Sequence, residues 1–317
     1  MEKEGIFTSG SEDSFRSLDE IRYELAEKQK IYIDEASIPS ELSYEEFFDE
    51  AKRRQEFRER AEGESRSVDI TIPSDRPIAI AFLSDLHLGS GGVDYDLIKE
   101  TAQLIKEHPL AYCITGGDLT DCLFFDYGEE VFNMQEQYVG MYKMIQHIGG
   151  ENILAGILGN HEAWARKQGV HSYMEFRDKT KRPLLRGISY VNLTVGDQLY
   201  KILCSHKLRG HSYHNANHPQ GRANKEIQGA DIIMSAHTHT AGEQNAYQTE
   251  FGGRTRKIVF LNGKTFKKLD AYGKDQAYIP TTDDRIGCNW IILSPDRRMI
   301  RTASSNEEMV ETMQHYF

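Results

Sequence analysis

The sequence predicts an α/β sandwich preceded by a helical arm. Residues 1–66 are dense in charge and show two helical patterns, whereas the chain from residue 67 onward alternates strand-like and helical segments. The later strand-like segments follow one another without helices, which predicts a more antiparallel region. We therefore expect an arm at 1–66, a main domain at 67–305 and a C-terminal tail at 306–317.

The arm carries two capping-box patterns. Ser17 and Glu20 open the first helical stripe, and Ser43 and Glu46 open a second segment with few apolar positions. A DNA-reading helix-turn-helix is one interpretation of this pair. Its acidic content favours packing or homo-oligomerisation through the arm.

The main domain begins with strand-like segments and repeats a strand-helix rhythm. The strand-like segments, in order, are "VDITI", "PIAIAFLSD", "AYCITGGD", "NILAGILG", "VNLTV", "LYKILCS", "ADIIM", "KIVFLN" and "NWIILS". Helical segments are predicted over "DYDLIKETAQLIKEH", around 129–148, after "GNHE" and near 220–229.

Whole-chain composition excludes several classes of protein. The 317 residues carry a net charge of −11, which disfavours broad binding to nucleic acid but permits a local basic cleft or bound metal cations. The sequence has neither a transmembrane-length apolar run nor a signal-peptide pattern at its start, so we expect a cytoplasmic protein with no membrane partner. Its four cysteines lack CxxC spacing, which suggests neither disulfides nor a zinc ribbon.

Polar clusters follow five of the predicted strands. Ligand sites of α/β sheets lie at the carboxyl ends of strands. A single cluster is explained by a helix cap or a hydrogen-bonded histidine, but five in order point to two borderline divalent ions such as manganese, iron or zinc. The clusters are "SDLH" (Asp85, His87), "GGDLTD" (Asp118, Asp121), "GNHE" (Asn160, His161, Glu162), "SH" (His206) and "AHTH" (His237, His239).

These five blocks resemble the motifs D-x-H, G-D-x-x-D, G-N-H-D/E, H and G-H-x-H of the calcineurin-like binuclear metallophosphoesterases. The resemblance spans roughly residues 78–240 and departs at Ala236, which replaces the usual glycine. It implies a β-sandwich flanked by α-helices (αββα), with 67–305 as the catalytic domain. It further implies one metal held by Asp85, His87 and His239, a second held by Asn160, His206 and His237, and Asp118 bridging both.

The same resemblance implies the chemistry. A metal-bridging hydroxide would attack the phosphorus atom, and His161, oriented by the carboxylate of Asp121, would protonate the leaving group. The alternative for Asp121 is an ordinary helix cap, and Glu162 is expected to support the site. His206 is the favoured single-histidine ligand because it ends its strand, with His211, His214 and His218 as alternatives. Manganese is the favoured metal, with iron, zinc or nickel as alternatives.

Departures from the family pattern bear on the substrate. Phosphoprotein phosphatases of this family have arginines where this chain has Cys122 and Leu158, so a phosphodiester is favoured over a phosphoprotein. A DNA or RNA nuclease of the repair-exonuclease type and a metal-free interaction scaffold are the alternatives. Phe124, Phe125, Tyr127, Trp164 and Tyr213 are candidates to stack a base, and Arg166, Arg209 and Arg222 are candidate substitute clamps. A charge run is usually a solvated face, but the following cations are candidates to border the cleft: Lys207, Arg209 and, in a basic segment at 252–268 that follows the metal histidines, Arg254, Arg256, Lys257, Lys264, Lys267 and Lys268.

Overall fold

A computed structural model describes residues 42–63, 66–122, 130–167, 176, 179–212, 214–249, 252–253 and 255–316. The chain divides into two compact units, Met1–Glu64 and Ser65–Phe317. The helical pattern predicted from Ser17 lies outside the described residues. Among the described residues, no helix has the length and hydrophobicity of a membrane span.

The first unit contains helix α1 (Tyr44–Gly63). The predicted capping box at its start is confirmed: the backbone N–H of Ser43 donates to Glu46 Oε2 at 2.8 Å, and the backbone N–H of Glu46 donates to Ser43 Oγ at 3.3 Å. These bonds satisfy amide groups that have no partner within the first turn of a helix.

The second unit contains twelve named strands among the described residues. They are β1 (Ser67–Ile72), β2 (Ile78–Leu83), β3 (Ala111–Thr115), β4 (Ile153–Ile157), β5 (Leu184–Leu185), β6 (Ser189–Val195), β7 (Gln198–Ser205), β8 (Ile232–Ser235), β9 (Gly242–Thr249), β10 (Thr255–Asn262), β11 (Asn289–Leu293) and β12 (Ile300–Ala303). The named helices of this unit, within the part of the chain that the structure describes, are α2 (Tyr95–Glu107), α3 (Met134–Ile148), α4 (Asn160–Lys167), α5 (His218–Glu226), α6 (Ala271–Asp275) and α7 (Asn306–Gln314), with short 3₁₀ turns at Gly150–Asn152 and Asp283–Arg285.

The strands form two six-stranded sheets. The first has the order β1-β6-β7-β8-β10-β9, and the second has the order β12-β11-β2-β3-β4-β5. Strands β2, β3 and β4 are parallel neighbours in the second sheet, as are β7 and β8 in the first. Parallel neighbours bring the segments that follow them to one edge of the sheet, and the five polar clusters follow these five strands.

Three apolar clusters confirm the predicted αββα layering. Residues of both sheets, such as Phe82, Ile114 and Ile232, pack together between the sheets. The outer face of the second sheet packs against α2, α3 and α7, and the outer face of the first sheet packs against α5 through Ala223. Strand β2, in the middle of the second sheet, has both faces covered, which explains its continuously apolar sequence IAIAFL, buried at all six positions.

The structure corrects two details of the predicted organisation. Residues 306–314, expected in a tail, form α7, and Met309 and Met313 on this helix are fully buried in the core. Strand β10, expected in an antiparallel region, pairs in parallel with β8 and antiparallel with β9. Strand β9 was not predicted, because the residues of this strand are mostly polar and exposed.

Candidate metal centre

The five polar clusters converge into three overlapping groups of candidate metal ligands. In each group the ligand atoms lie within 4.8 Å of one another. Asp118 belongs to two groups and His87 to two, so the groups form one continuous centre. The groups are Asp85, His87 and His239; His87, Asp118 and His161; and Asp118, His206 and His237.

The first group brings two imidazoles against one carboxylate. Nε2 of His239 lies 3.2 Å from Asp85 Oδ1 and 3.1 Å from Nε2 of His87. The Oδ1 atom of Asp85 is fully buried and its contact with His239 Nε2 lacks hydrogen-bond geometry, whereas its Oδ2 accepts the backbone N–H of His237 at 3.1 Å. A buried carboxylate oxygen without a donor is costly, and a cation between Asp85 and the two rings would satisfy it.

The third group, which contains Asp118, His206 and His237, is built around the first two of these residues. Nε2 of His206 lies 3.0 Å from Asp118 Oδ2 and 3.0 Å from Asn160 Oδ1. The His206 Nδ1–H donates to the carbonyl of Gly116 at 2.8 Å, which fixes the ring with Nε2 toward the oxygens. The ring of His237 lies 5.2 Å from that of His206, centroid to centroid.

His206 is the histidine of its segment that reaches the centre. It is buried and directly follows β7, while the alternatives further along the chain, His211, His214 and His218, are exposed. A strand end fixes the direction of the next side chain better than a loop does, which is why the sequence favoured this position.

The charges at the centre suit bound cations. Burial, followed by the charge of Lys267, lowers the pKa of His87 to about 4 against the opposing hydrogen bond to Asp121. Burial and the charge of His206 likewise lower the pKa of His237 to about 4. Both rings are therefore neutral near pH 7, the form of histidine that binds a metal ion.

Asp118 and His206 form a tightly coupled pair. Burial alone would lower the pKa of His206, but the charge of Asp118 and their hydrogen bond raise it to about 10. Burial alone would raise the pKa of Asp118, but the charges of His206 and His161 hold it well below its usual range. The His206 proton thus occupies the place where a cation would balance Asp118, and metal binding would displace it.

The expected contact between Asp121 and His161 is not the one formed. The Asp121 carboxylate accepts the Nδ1–H of His87 at 2.8 Å and the ammonium of Lys267 at 2.9 Å. His161 Nδ1 instead contacts the backbone carbonyl of Asp121, and its Nε2 lies 3.7 Å from Asp118 Oδ2. The Asp121 carboxylate faces His87 and Lys267, which are both buried and both donate to it.

Glu162 supports the centre as expected. Its carboxylate accepts the backbone N–H groups of Asp118 at 3.0 Å, Leu119 at 2.7 Å and Gly159 at 2.9 Å. These bonds tie the loop after β3 to the start of α4. Gly159 is needed at this junction, because a Cβ there would overlap the backbone N and Oδ1 of Asp118.

The backbone is strained at the ligand positions. Ala236, where the family pattern has glycine, does not have positive φ and is accommodated without strain. Left-handed φ at residues other than glycine is a form of backbone strain that persists where surrounding contacts fix the chain, and it is common at functional sites. The ligand residues with left-handed φ are Asp85 (50°), His87 (49°), Asp118 (51°), His237 (72°) and His239 (52°).

The surroundings of the centre lack the two phosphatase arginines, as the sequence indicated. Cys122 is buried and its backbone N–H donates to Gln137 at 2.8 Å, and Leu158 is half-buried. The Trp164 ring contacts that of His161, with centroids 4.4 Å apart and ring planes tilted by 40°. The other aromatic candidates, Phe124, Phe125, Tyr127 and Tyr213, lie outside the described residues, as do Arg254 and the side chain of Arg166.

Local partners neutralise much of the expected basic border. Lys207 and Arg209 are exposed, and Arg222 pairs with Glu226. Within the basic segment, Lys264 donates to the Ser304 carbonyl, Lys267 pairs with Asp121 and Asp270, Lys268 pairs with Asp94, and Arg256 pairs with Asp231. The basic segment therefore stabilises loops rather than presenting these four cations to a ligand.

Comparisons with known proteins place the chain in a family. It is similar to the phosphoesterase Yfce from E. coli (13% identity, TM-score 0.36, covering 72% of this chain and 100% of that chain). It is also similar to Vps29 from Cryptosporidium parvum (14%, 0.36, 72% and 98%) and the nuclease MPE from Pseudomonas putida (11%, 0.32, 71% and 87%). Similarities at this level carry no argument about substrate, and no curated protein sequence matches significantly. The sequence pattern described as calcineurin-like phosphoesterase matches residues 78–241, more than half of the chain. The chain therefore belongs to the calcineurin-like phosphoesterase family.

Proposed function

We propose that this protein is a dinuclear metal-dependent hydrolase of phosphate esters that prefers phosphodiesters. The observation that carries the proposal is the convergence of carboxylate, amide and imidazole donors around Asp118, next to the buried Asp85 Oδ1 that has no hydrogen bond. Mixed oxygen and nitrogen donors favour manganese, iron, zinc or nickel over magnesium or calcium.

The ligands divide between two ions. Asp118 serves both, because its Oδ2 faces His206 and it shares a ligand group with His87. When bound, two ions lower the pKa of a shared water toward ~7 and neutralise phosphoryl oxygens. The first ion is assigned to Asp85, His87 and His239, and the second to Asn160, His206 and His237.

His161 is the proposed proton donor to the leaving group. Its Nε2 faces the centre at 3.7 Å from Asp118 Oδ2, while contacts of Nδ1 and of the Trp164 ring fix the orientation of the imidazole. A histidine in this position can donate a proton to the departing oxygen.

The phosphodiester preference rests on charge. A monoester dianion carries more charge than a diester monoanion, and phosphatases add cationic side chains beyond the metals to bind it. Here the two family positions are Cys122 and Leu158, and Lys267 is already paired with two carboxylates.

Metal stoichiometry tests the centre. After loading with manganese or zinc and desalting, elemental analysis should give two ions per chain. Asp118→Asn should bind fewer ions and lose turnover, while the exposed helix variant Asp96→Asn should match the wild type. A wild-type stoichiometry of one or none, or full turnover by Asp118→Asn, would refute the two-metal assignment.

Substrate selectivity tests the ester class. With metals loaded, kcat/KM for bis-nitrophenyl phosphate should exceed that for the mono-nitrophenyl ester. A clear monoester preference contradicts the proposal, and its loss in Arg209→Ala would identify a substitute clamp. Cleavage of single-stranded oligonucleotides when neither small ester reacts would favour the nuclease alternative.

A further inference from the structure

We propose that Asp121, anchored by Lys267, is a positioning residue for the metal ligand His87 and does not act through the proton donor His161. The inference deepens the proposed function and rests on it for the role of His87. In this proposal Lys267 anchors the carboxylate of Asp121.

The hydrogen bond between Asp121 and His87 sets the tautomer of the imidazole. Asp121 Oδ1 lies 2.8 Å from His87 Nδ1, and both side chains are almost completely buried. An ionised carboxylate only accepts, so Nδ1 carries the proton and the lone pair of Nε2 faces Asp85 and His239. A carboxylate behind a ligating histidine holds the ring in its binding orientation and increases its basicity.

Lys267 holds this carboxylate in place. Its Nζ lies 2.9 Å from the same Asp121 Oδ1 and also pairs with Asp270. Burial would lower the pKa of Lys267, but the two carboxylates raise it, so the ammonium stays charged. Because the Lys267 ammonium and His87 Nδ1 contact the same Oδ1 atom, the ion pair fixes the rotamer of Asp121 toward His87.

The backbone of the Lys267 segment is attached to the ligand Asp85. The hydroxyl of Thr265 and the backbone N–H of Phe266 both donate to the Asp85 carbonyl, at 2.9 and 3.1 Å. The N–H of Lys267 donates to Thr265 Oγ1 at 3.0 Å. Lys267 therefore enters the centre from a segment whose position is set by the metal-ligand loop itself.

His161 uses a different acceptor. Its Nδ1 contacts the backbone carbonyl of Asp121, which is uncharged and is retained in any substitution of the side chain. Replacing the Asp121 carboxylate should therefore leave the orientation of His161 intact and disturb His87.

Asp121→Asn separates the two roles, with His161→Asn as the reference. If Asp121 positions His87, manganese affinity at one of the two sites should fall about 10- to 100-fold, as for other partners of metal-ligating histidines. The remaining turnover at saturating metal should fall equally for nitrophenyl and alkyl esters. Unchanged affinity at both sites, with a loss confined to poor leaving groups as in His161→Asn, would overturn the proposal.

Nitrogen NMR of the metal-free protein gives a readout independent of activity. At pH 7.5 His87, assigned by the loss of its signals in His87→Asn, should be the Nδ1–H tautomer in the wild type. Lys267→Met should show a detectable Nε2–H form of His87, and the matched control Lys268→Met, whose ammonium is exposed, should not. A single unchanged tautomer in a folded Lys267→Met would remove Lys267 from the proposal. A wild type that binds no metal would refute the proposed function, while an Nε2–H tautomer in the wild type would refute this inference.

Discussion

At the scale of single residues, the convergence of the candidate ligands could be predicted because each of the five clusters follows an apolar strand. Asp85, Asp118 and Asn160 follow the parallel neighbours β2, β3 and β4, so their meeting at one edge of the second sheet follows from parallel pairing. The partner of the Asp121 carboxylate could not be predicted. Lys267 lies 146 positions away along the chain, and its sequence context is a run of cations typical of a solvated surface.

The left-handed φ of the candidate ligands also could not be predicted from the sequence. Aspartate and histidine are enriched among the non-glycine residues that adopt left-handed φ, but this preference is too weak to identify Asp85, His87 and Asp118 from the sequence. The cause is tertiary: hydrogen bonds such as that from the His161 backbone N–H to Asp118 Oδ1, at 2.9 Å, fix these loops.

The proton donor is tested by His161→Asn. Because His161 belongs to the centre but is not assigned as a ligand, manganese stoichiometry should stay near two. Turnover of an alkyl ester should fall by about 100-fold or more, the usual effect of removing a general acid. A nitrophenyl ester, whose leaving group hardly needs a proton, should be much less affected, and an equal loss on both esters would exclude His161 as the acid.

At the scale of elements, β10 positions the last two histidines. Asn262 at its end is buried, and its Nδ2 donates to Thr238 Oγ1 at 2.8 Å and Thr240 Oγ1 at 2.7 Å. The two threonines alternate with His237 and His239 along the loop. One amide thus secures a segment that supplies a ligand to each proposed metal site.

Asn262→Ala should therefore weaken both metal sites together. The variant frees two loop hydroxyls and removes a buried acceptor of Gln220 and Ser235, at a cost of roughly 1 to 3 kcal/mol in unfolding free energy. Manganese titration followed by calorimetry would measure both affinities. Asn245→Ala, on the exposed strand β9, is the matched control and should bind like the wild type. Loss at one site alone would show that the loop does not move as a unit.

Strand β9 and helix α7 were not predicted because both have few buried apolar side chains. Strand β9 is an edge strand of the first sheet. Its sequence, GEQNAYQT, lacks the apolar alternation that predicts a half-buried strand. The extended conformation of β9 is set by its antiparallel pairing with β10 and not by its own side chains. Helix α7 has only two fully buried apolar side chains, Met309 and Met313, spaced one turn apart, which is a weak pattern in nine residues.

At the scale of the whole molecule, the sandwich places the candidate ligands of two sheets in one acidic centre. Asp85 and Asp118 follow strands of the second sheet, and His206 and His237 follow strands of the first. A cation bound among them would join the two layers of the core. Because unfolding separates these ligands, metal loading should stabilise the folded state.

Thermal unfolding measures this coupling. Manganese at a free concentration of about 100 times Kd should add about 2.7 kcal/mol per site, and a chain of this size should gain roughly 5 to 10 °C in Tm for each site. Asp118→Asn should lose most of the shift, and Asp96→Asn should keep it. The net charge of −11 gives the surface its own affinity for cations, so calcium at equal concentration is the necessary comparison. Calcium prefers oxygen ligands and should bind poorly among imidazoles. Equal shifts with calcium and manganese would mean that cations stabilise the protein through its acidic surface and not through the histidine-containing centre.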